Sequence, residues 1–262
     1  MPVRILSSLL MIPAMLAAIY AGAPVFDAVI VAVAAALIWE WQGLLAPRAG
    51  PMRGAAIAGT VAAVAAATAL GWEYGFACAV ATAAAVGILA RRRGRADLAL
   101  LCFGPFYVAV PCLAVLALRH GYGFSVTAAL FAMVWATDIG AYAFGRGIGG
   151  PKLAPRISPN KTWAGLVGGM ACSAAAGAVL AVFGVFPGAG AALPALFGAA
   201  LAVVAQAGDL FESAVKRRVG AKDSSRLIPG HGGLLDRVDG VMTAAPAALW
   251  VFGMMRDMGA MG

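Results

Sequence analysis

Long apolar runs separated by short polar or glycine-rich joints dominate the chain. Their length, more than any one-sided stripe, sets the first expectation. Runs of about 18 or more residues with few charges are long enough to cross a hydrocarbon core of about 30 Å as helices. Nine such segments fall at 4–22, 25–41, 55–71, 75–90, 98–118, 124–144, 165–186, 190–208 and 241–256. The segment 75–90 is short enough to enter and leave by the same face instead of crossing. The first segment follows Arg4 as a secretion signal would, yet it runs too long and lacks a small-x-small cleavage site, so it reads as a retained span. The pattern predicts an all-α, polytopic integral membrane protein of about nine transmembrane helices.

Composition excludes a soluble domain. Hydrophobic residues make up 63% and charged residues 11% of the chain, against roughly 45–50% and 25% in soluble proteins, and the mean hydropathy is +0.91. Lysine and arginine in short loops are retained on the cytoplasmic side. With the N-terminus cytoplasmic, the inner loops receive Arg48 and Arg53, then "RRRGR" at 91–95, then Arg146, Lys152, Arg156 and Lys161, then six cations between Lys216 and Arg237. Arg119 and Arg256 alone fall outside. The net charge of +8 is thus an orienting charge that meets anionic lipid headgroups, and it calls for no nucleic acid. Cys78, Cys102, Cys112 and Cys172 lie in or beside apolar segments without CxxC spacing, so they read as small core hydrophobes.

Orientation does not explain the last inner loop. Of eleven acidic residues, Asp209, Glu212, Asp223, Asp236 and Asp239 crowd there among the cations. In "GDLFESAVKRR", Asp209, Glu212, Ser213 and Lys216 stand at i, i+3, i+4 and i+7, so a continuing helix puts all four on one face. Asp236 and Asp239 stand three apart at the start of the last helix. Such carboxylates suit a hard divalent cation, since magnesium takes one or two of them and completes its shell with water and phosphate. A salt-bridged helix surface explains "GDLFESAVKRR" alone equally well. The glycines of "PGHGG" shift the balance, because they allow close backbone approach and can turn N–H groups toward an anion. His231 in that loop reads either as a proton donor or phosphate contact, or as a hydrogen-bonded loop residue.

A second polar island spans 135–165. Asp138 and Tyr142 lie one helical turn apart in the sixth span, and a carboxylate at membrane depth, costing about 2.5–3.5 kcal/mol on insertion scales, is a functional candidate by default. "GRGIGGPK" fails as a nucleotide P-loop: Lys152 comes one residue late, no Ser or Thr follows it, and an apolar helix precedes it instead of a strand. "SPNKT" packs Ser158, Asn160, Lys161 and Thr162 around a proline turn, a dense set of donors for a phosphate or a base edge, ahead of a helix N-terminus. A polar turn capping the next helix explains one or two of these residues.

From Ser213 to Asp239 the stretch "SAVKRRVGAKDSSRLIPGHGGLLDRVD" resembles the pattern of phosphatidate cytidylyltransferases: S-x-x-K-R-x4-K-D, then P-x-H-G-G-x-x-D-R-x-D, with every fixed position filled. "WATDIGAYAFG" and "SPNKTWAG" are similar to two further family blocks in the right order, with Ala164 where family members often carry Glu or Gln. The resemblance implies transfer of the cytidylyl group of CTP to phosphatidic acid, giving CDP-diacylglycerol and pyrophosphate, by a multi-pass protein of the bacterial inner membrane. It implies magnesium, alone or with a second cation, held by carboxylates matching Asp209 and Asp236, with Glu212 and Asp239 as weaker ligands or orienters. Lys161, Lys216, Lys222 and Arg237 are the implied phosphate contacts, beside His231 and Asp223. Ser158, Asn160, Thr162 and Ser213 are the implied contacts for CTP, and Asp138 and Tyr142 the pocket wall. Residues 1–130 then hold about five spans and 131–262 the catalytic region, with its active site at the cytoplasmic face.

Three competitors follow from the same features. A transporter places its charges near mid-membrane in broken helices, not at one face. A CDP-alcohol phosphotransferase shows DGxxAR, which "DRVDGVMTAA" does not continue. A cytidylyltransferase for another lipid phosphate retains all the headgroup chemistry and is the strongest competitor. Residues 1–130 add one notable cluster, Trp39, Glu40 and Trp41. The small-residue faces "GLVGG" and "GAVLAVFG" permit close helix contacts, either in a homodimer or within one chain.

Overall fold

The computed structural model describes residues 2–48, 50–94, 97–228 and 232–257, with the backbone alone for 2–11. Helix dominates: α1 (Pro2–Ala21), α2 (Val25–Leu45), α3 (Gly50–Leu70), α4 (Trp72–Arg92), α5 (Leu98–Gly147), α6 (Trp163–Val182), α7 (Ala192–Arg218) and α8 (Leu235–Asp257). Among the described residues, seven helices are long and apolar enough to cross a membrane. Val167, Leu196 and Trp250 stay 62–69% exposed on helix surfaces, an arrangement that suits hydrocarbon and not water. The protein is an all-α polytopic membrane protein.

Helix limits depart from the hydropathy reading in a consistent direction. The polar stretch after 208 continues α7 to Arg218, and α8 begins at Leu235, six residues ahead of the apolar run. Charged residues with good helix propensity extend a helix past the edge of its apolar stretch. The segment 75–90 lies within α4, an unbroken helix of 21 residues. The two runs 98–118 and 124–144 share the 50-residue α5, which is interrupted at Gly123, where φ is 79° and ψ −169°.

The all-α expectation needs one local correction. A two-stranded antiparallel hairpin, β1 (Lys152–Ala154) and β2 (Ser158–Thr162), joins α5 to α6, with Lys152 opposite Thr162 and Ala154 opposite Ser158. "SPNKT" is therefore a strand and not a turn. Pro159 is tolerated because a hairpin edge does not require its missing N–H.

The chain forms two compact units, Met1–Leu116 with Arg218–Val238, and Ala117–Arg217 with Asp239–Gly262. In the first, Trp41 is fully buried, donates its indole N–H to the Leu100 carbonyl at 2.9 Å and packs its ring 4.7 Å from that of Tyr107. Gly104 makes room for that ring, since a Cβ there would meet the indole. In the second, Phe252 gathers Tyr122, Phe186 and Phe197 at ring separations of 5.3–5.9 Å. Three glycines of these faces pack within the chain, Gly168 against Phe144, Gly169 against Thr137 and Gly177 against the Pro194 carbonyl, whereas Gly184 has open space around it. Among the cysteines, which are all free, Cys112 alone is buried outright.

Candidate active site

In the second unit, β2, α5, α6 and α7 enclose a cavity of about 260 Å³ lined by Asp138, Tyr142, Asn160, Lys161, Thr162, Gln206 and Asp209 among others. Local structure explains each position. The helix of α5 carries Asp138 and Tyr142 one turn apart. Arg146, a further turn on, donates to the Tyr142 hydroxyl at 2.7 Å. Thr162 ends β2 and caps α6: its Oγ1 accepts the Gly165 N–H at 3.0 Å while its backbone is extended, as an N-cap requires. Lys161, one residue earlier, reaches α7, where its Nζ lies 2.5 Å from Asp209 Oδ2 and 2.8 Å from Gln206 Oε1. Arg217 adds a weaker tie from α7 to the hairpin, donating to the Ile157 carbonyl at 3.4 Å.

The face expected on α7 is present. Ser213 donates to Asp209 Oδ1 at 3.2 Å, one turn along. Glu212, fully buried, pairs with Lys216 at 3.1 Å. Asp239, near the start of α8, is half-buried and within electrostatic reach of Asp209, Glu212 and Asp138. Asp239 thus feels three other carboxylates, of which Asp209 is paired with Lys161 and Glu212 with Lys216. Ser158, paired with Ala154 at the start of β2, is not among the lining residues, whereas Asn160 is.

In the first unit, residues 224–225 and 233–235 close on two carboxylates. Asp236, in the first turn of α8, accepts through Oδ2 from the Ser224 N–H and hydroxyl, both at 2.9 Å, and from the Gly233 N–H at 2.8 Å. The anion that faces the Gly233 N–H is here a side chain of the chain itself, from the first turn of α8. Glu40 of α2 accepts from Ser224, Ser225, Leu234 and Leu235. Lys222, Asp223 and Arg237 are exposed, and His231 lies outside the described residues.

A profile of the cytidylyltransferase family matches residues 2–255. The chain belongs to the cytidylyltransferase family. Among its curated relatives, a phosphatidate cytidylyltransferase of Brucella suis is 53% identical over 152 residues, which is 57% of this chain and 55% of that protein. One of Pseudomonas aeruginosa is 41% identical over 172 residues, 64% and 62% of the two chains. One of Staphylococcus saprophyticus is 49% identical over 116 residues, 44% of each. The chain spans about half the length of the first of these relatives.

For this cytidylyltransferase-family chain, no three described His, Cys, Asp or Glu side chains converge as a ready-made metal cage. Magnesium asks for less, one or two carboxylates with the remaining positions left to water and phosphate. Asp209, with Asp239 and Asp138 nearby and a cation already at its Oδ2, is a hard-oxygen donor that fits. Two residues of the polar network went unassigned in the sequence. Gln206 is read there as part of an apolar span, and no helical spacing predicts its bond to Lys161, 45 positions away. Glu40 was visible only as a carboxylate between two tryptophans in an apolar run.

Proposed function

We propose that the protein transfers the cytidylyl group of CTP to phosphatidic acid, giving CDP-diacylglycerol and pyrophosphate, at the cytoplasmic face of a bacterial inner membrane. The observation that carries this reading is the cavity in which Lys161, Asp209, Asn160, Thr162 and Gln206 meet, in a chain of the cytidylyltransferase family. A cation, two carboxylates and amide and hydroxyl groups around a small cavity of mixed polar and apolar lining suit a nucleotide. The surrounding apolar helices leave acyl chains in the bilayer.

In the transfer, a phosphate oxygen of phosphatidic acid bonds to the α-phosphorus of CTP as the bond from that phosphorus to the bridging oxygen breaks. Pyrophosphate leaves with the electron pair, and the ionised nucleophile has no proton to lose. Positioning and charge neutralisation carry such reactions. Lys161 supplies a point charge for phosphate, released from Asp209 as the nucleotide enters. Gln206 orients that ammonium, and Ser213 holds the Asp209 carboxylate in place. Asn160 and Thr162 donate to the nucleotide, and Asp138 with Tyr142 forms the wall. Asp209, with Glu212 and Asp239 behind it, is the candidate magnesium ligand of this unit, and Asp236 that of the other. Magnesium supplies charge neutralisation on the phosphates, and a second cation is compatible with the surplus of carboxylates. Lys216, Lys222 and Arg237 retain the phosphate contacts that the resemblance implies, with Asp223 on the substrate and His231 either a proton donor or phosphate contact or a loop residue.

The same reading takes nine crossings, with α5 counted as two at Gly123 and the N-terminus cytoplasmic. It assigns catalysis to residues 131–262. Purified protein, labelled CTP, magnesium and phosphatidic acid in mixed micelles should yield lipid-extractable cytidine. No product from demonstrably folded protein overturns the reading. Product only when an isoprenoid ether lipid phosphate replaces phosphatidic acid shifts the acceptor and keeps the chemistry.

A further inference from the structure

We propose that Glu40 is a positioning residue, holding residues 224–225 and 233–235 from within α2 in the arrangement that presents Asp236. The proposal rests on the reading that Asp236 takes part in the transfer.

Glu40 is 1% exposed, and a carboxylate so buried is costly unless its lone pairs are matched. Three donors are dedicated to them, and a fourth, the Ser224 hydroxyl, is shared with Asp236. Oε1 accepts from the Ser225 hydroxyl at 2.6 Å and the Leu234 N–H at 2.8 Å. Oε2 accepts from the Ser224 hydroxyl at 3.1 Å and the Leu235 N–H at 2.7 Å. All four donors come from two segments, 224–225 and 234–235, 184–195 positions away in sequence. Two of them are the N–H groups that open α8, which a helix leaves without internal partners and which carry its positive end. Glu40 thus caps α8 from another helix.

The neighbours fit this role. A Cβ on Gly233 would come within 2.6–2.7 Å of both Glu40 oxygens, so only glycine lets the loop close on the carboxylate. Trp41 fixes the register of α2 through its bond to the Leu100 carbonyl. Ser224 links the two carboxylates, with its Oγ 3.1 Å from Glu40 and 2.9 Å from Asp236. One hydroxyl proton serves one acceptor at a time. When Asp236 turns to another partner, the Ser224 hydroxyl swings to Glu40 and stays satisfied, so the exchange does not unfold the loop.

Glu40→Gln keeps the size but sets an NH2 group against two of the four donors. Arg226 and Lys222 are exposed in the loop, so trypsin reports its opening in the full chain held in detergent. Cleavage of Glu40→Gln at Arg226 should run at least about tenfold faster than in the parent protein, as local opening predicts. Its kcat should fall at least about tenfold with KM for CTP within about threefold, the mark of displaced machinery and not of lost nucleotide contacts. Ser225→Ala, which removes one donor, should move cleavage and kcat the same way by less. Unchanged cleavage in folded Glu40→Gln overturns the proposal. So does unchanged cleavage and kcat in Ser225→Ala, should Glu40→Gln not accumulate. Faster cleavage at unchanged kcat overturns the positioning role and removes Asp236 from the reaction. Product formation by the parent protein tests the transferase reading separately.

Discussion

The ammonium of Lys161 on β2 sits 2.5 Å from Asp209 on α7, so the cation expected to grip nucleotide phosphates is held by the carboxylate expected to grip a metal. The pair neutralises both groups. Its side chains are 15% and 30% exposed, which makes it more than a surface contact.

Lys161→Ala should therefore cost both function and some stability. Exposed pairs contribute about 0–1 kcal/mol and breaking fully buried ones costs about 3–5 kcal/mol, so an intermediate loss of about 1–2 kcal/mol is expected for this one. Turnover should fall at least about 100-fold, equivalent to about 2.7 kcal/mol of transition-state stabilisation. Lys161→Arg separates the two effects: it keeps the charge and the tie to α7 but spreads the point charge over a planar fork. Thermal unfolding and CTP kinetics, measured side by side, should show Lys161→Arg stable but slow. Parental kinetics in Lys161→Ala would remove this strand from the active site.

Asp209→Asn tests the other partner. The amide keeps shape and the bond from Ser213 but loses the charge that a hard cation needs. Activity should fall by at least about 100-fold, with insertion and folding retained, and chelation of magnesium should abolish the parent activity reversibly. Near-parental turnover of Asp209→Asn at limiting magnesium would show that the carboxylate holds no essential ion.

Thr162 carries a different prediction, because its Oγ1 accepts the Gly165 N–H and is buried. Thr162→Ala should lose about 0.5–2 kcal/mol of stability as caps do, and Thr162→Ser should retain most of it. Ser158→Ala, four residues upstream and without a cap bond, should leave the melting temperature in place. A Thr162→Ala protein as stable as its parent would mean that α6 is capped by something else.

The spans, the polar face of α7 and the helix start at Asp236 were legible because each is local: apolar length, a 3.6-residue period and a first-turn acid read directly from neighbours in the chain. "SPNKT" was misread as a turn because proline, serine and asparagine favour turns in isolation. Pairing with Lys152–Ala154 across the hairpin made it a strand instead. Glu40 and Gln206 were missed for a deeper reason. Their partners are 184–195 and 45 positions away, and no periodicity of one segment reports a contact of that range. The run "WEW" showed only that something polar had to be satisfied in an apolar helix.

Gly208 joins the packing of the second unit to its chemistry, since it precedes Asp209 on α7 and faces α8. A Cβ there would collide with Thr243 Oγ1 and come 2.8 Å from the Asp239 carbonyl oxygen. Intrinsic propensity alone argues for replacement, because Ala in a helix interior is favoured over Gly by about 0.8–1.0 kcal/mol. Overpacking argues against it at about 1–3 kcal/mol, and a contact with a backbone oxygen cannot relax by a rotamer change. Gly208→Ala should thus destabilise the protein by up to about 2 kcal/mol, the overpacking cost less the helix gain. It should also slow turnover, because α7 and α8 carry Asp209 and Asp239 apart as they separate. Thr243→Ala opens half of the clash while giving up the 2.9 Å bond from Thr243 to the Val204 carbonyl. In a double-mutant cycle the pair should therefore cost less than the two single losses added. A stabilised Gly208→Ala protein with parental turnover would mean that the helices stand further apart here than the structure has them.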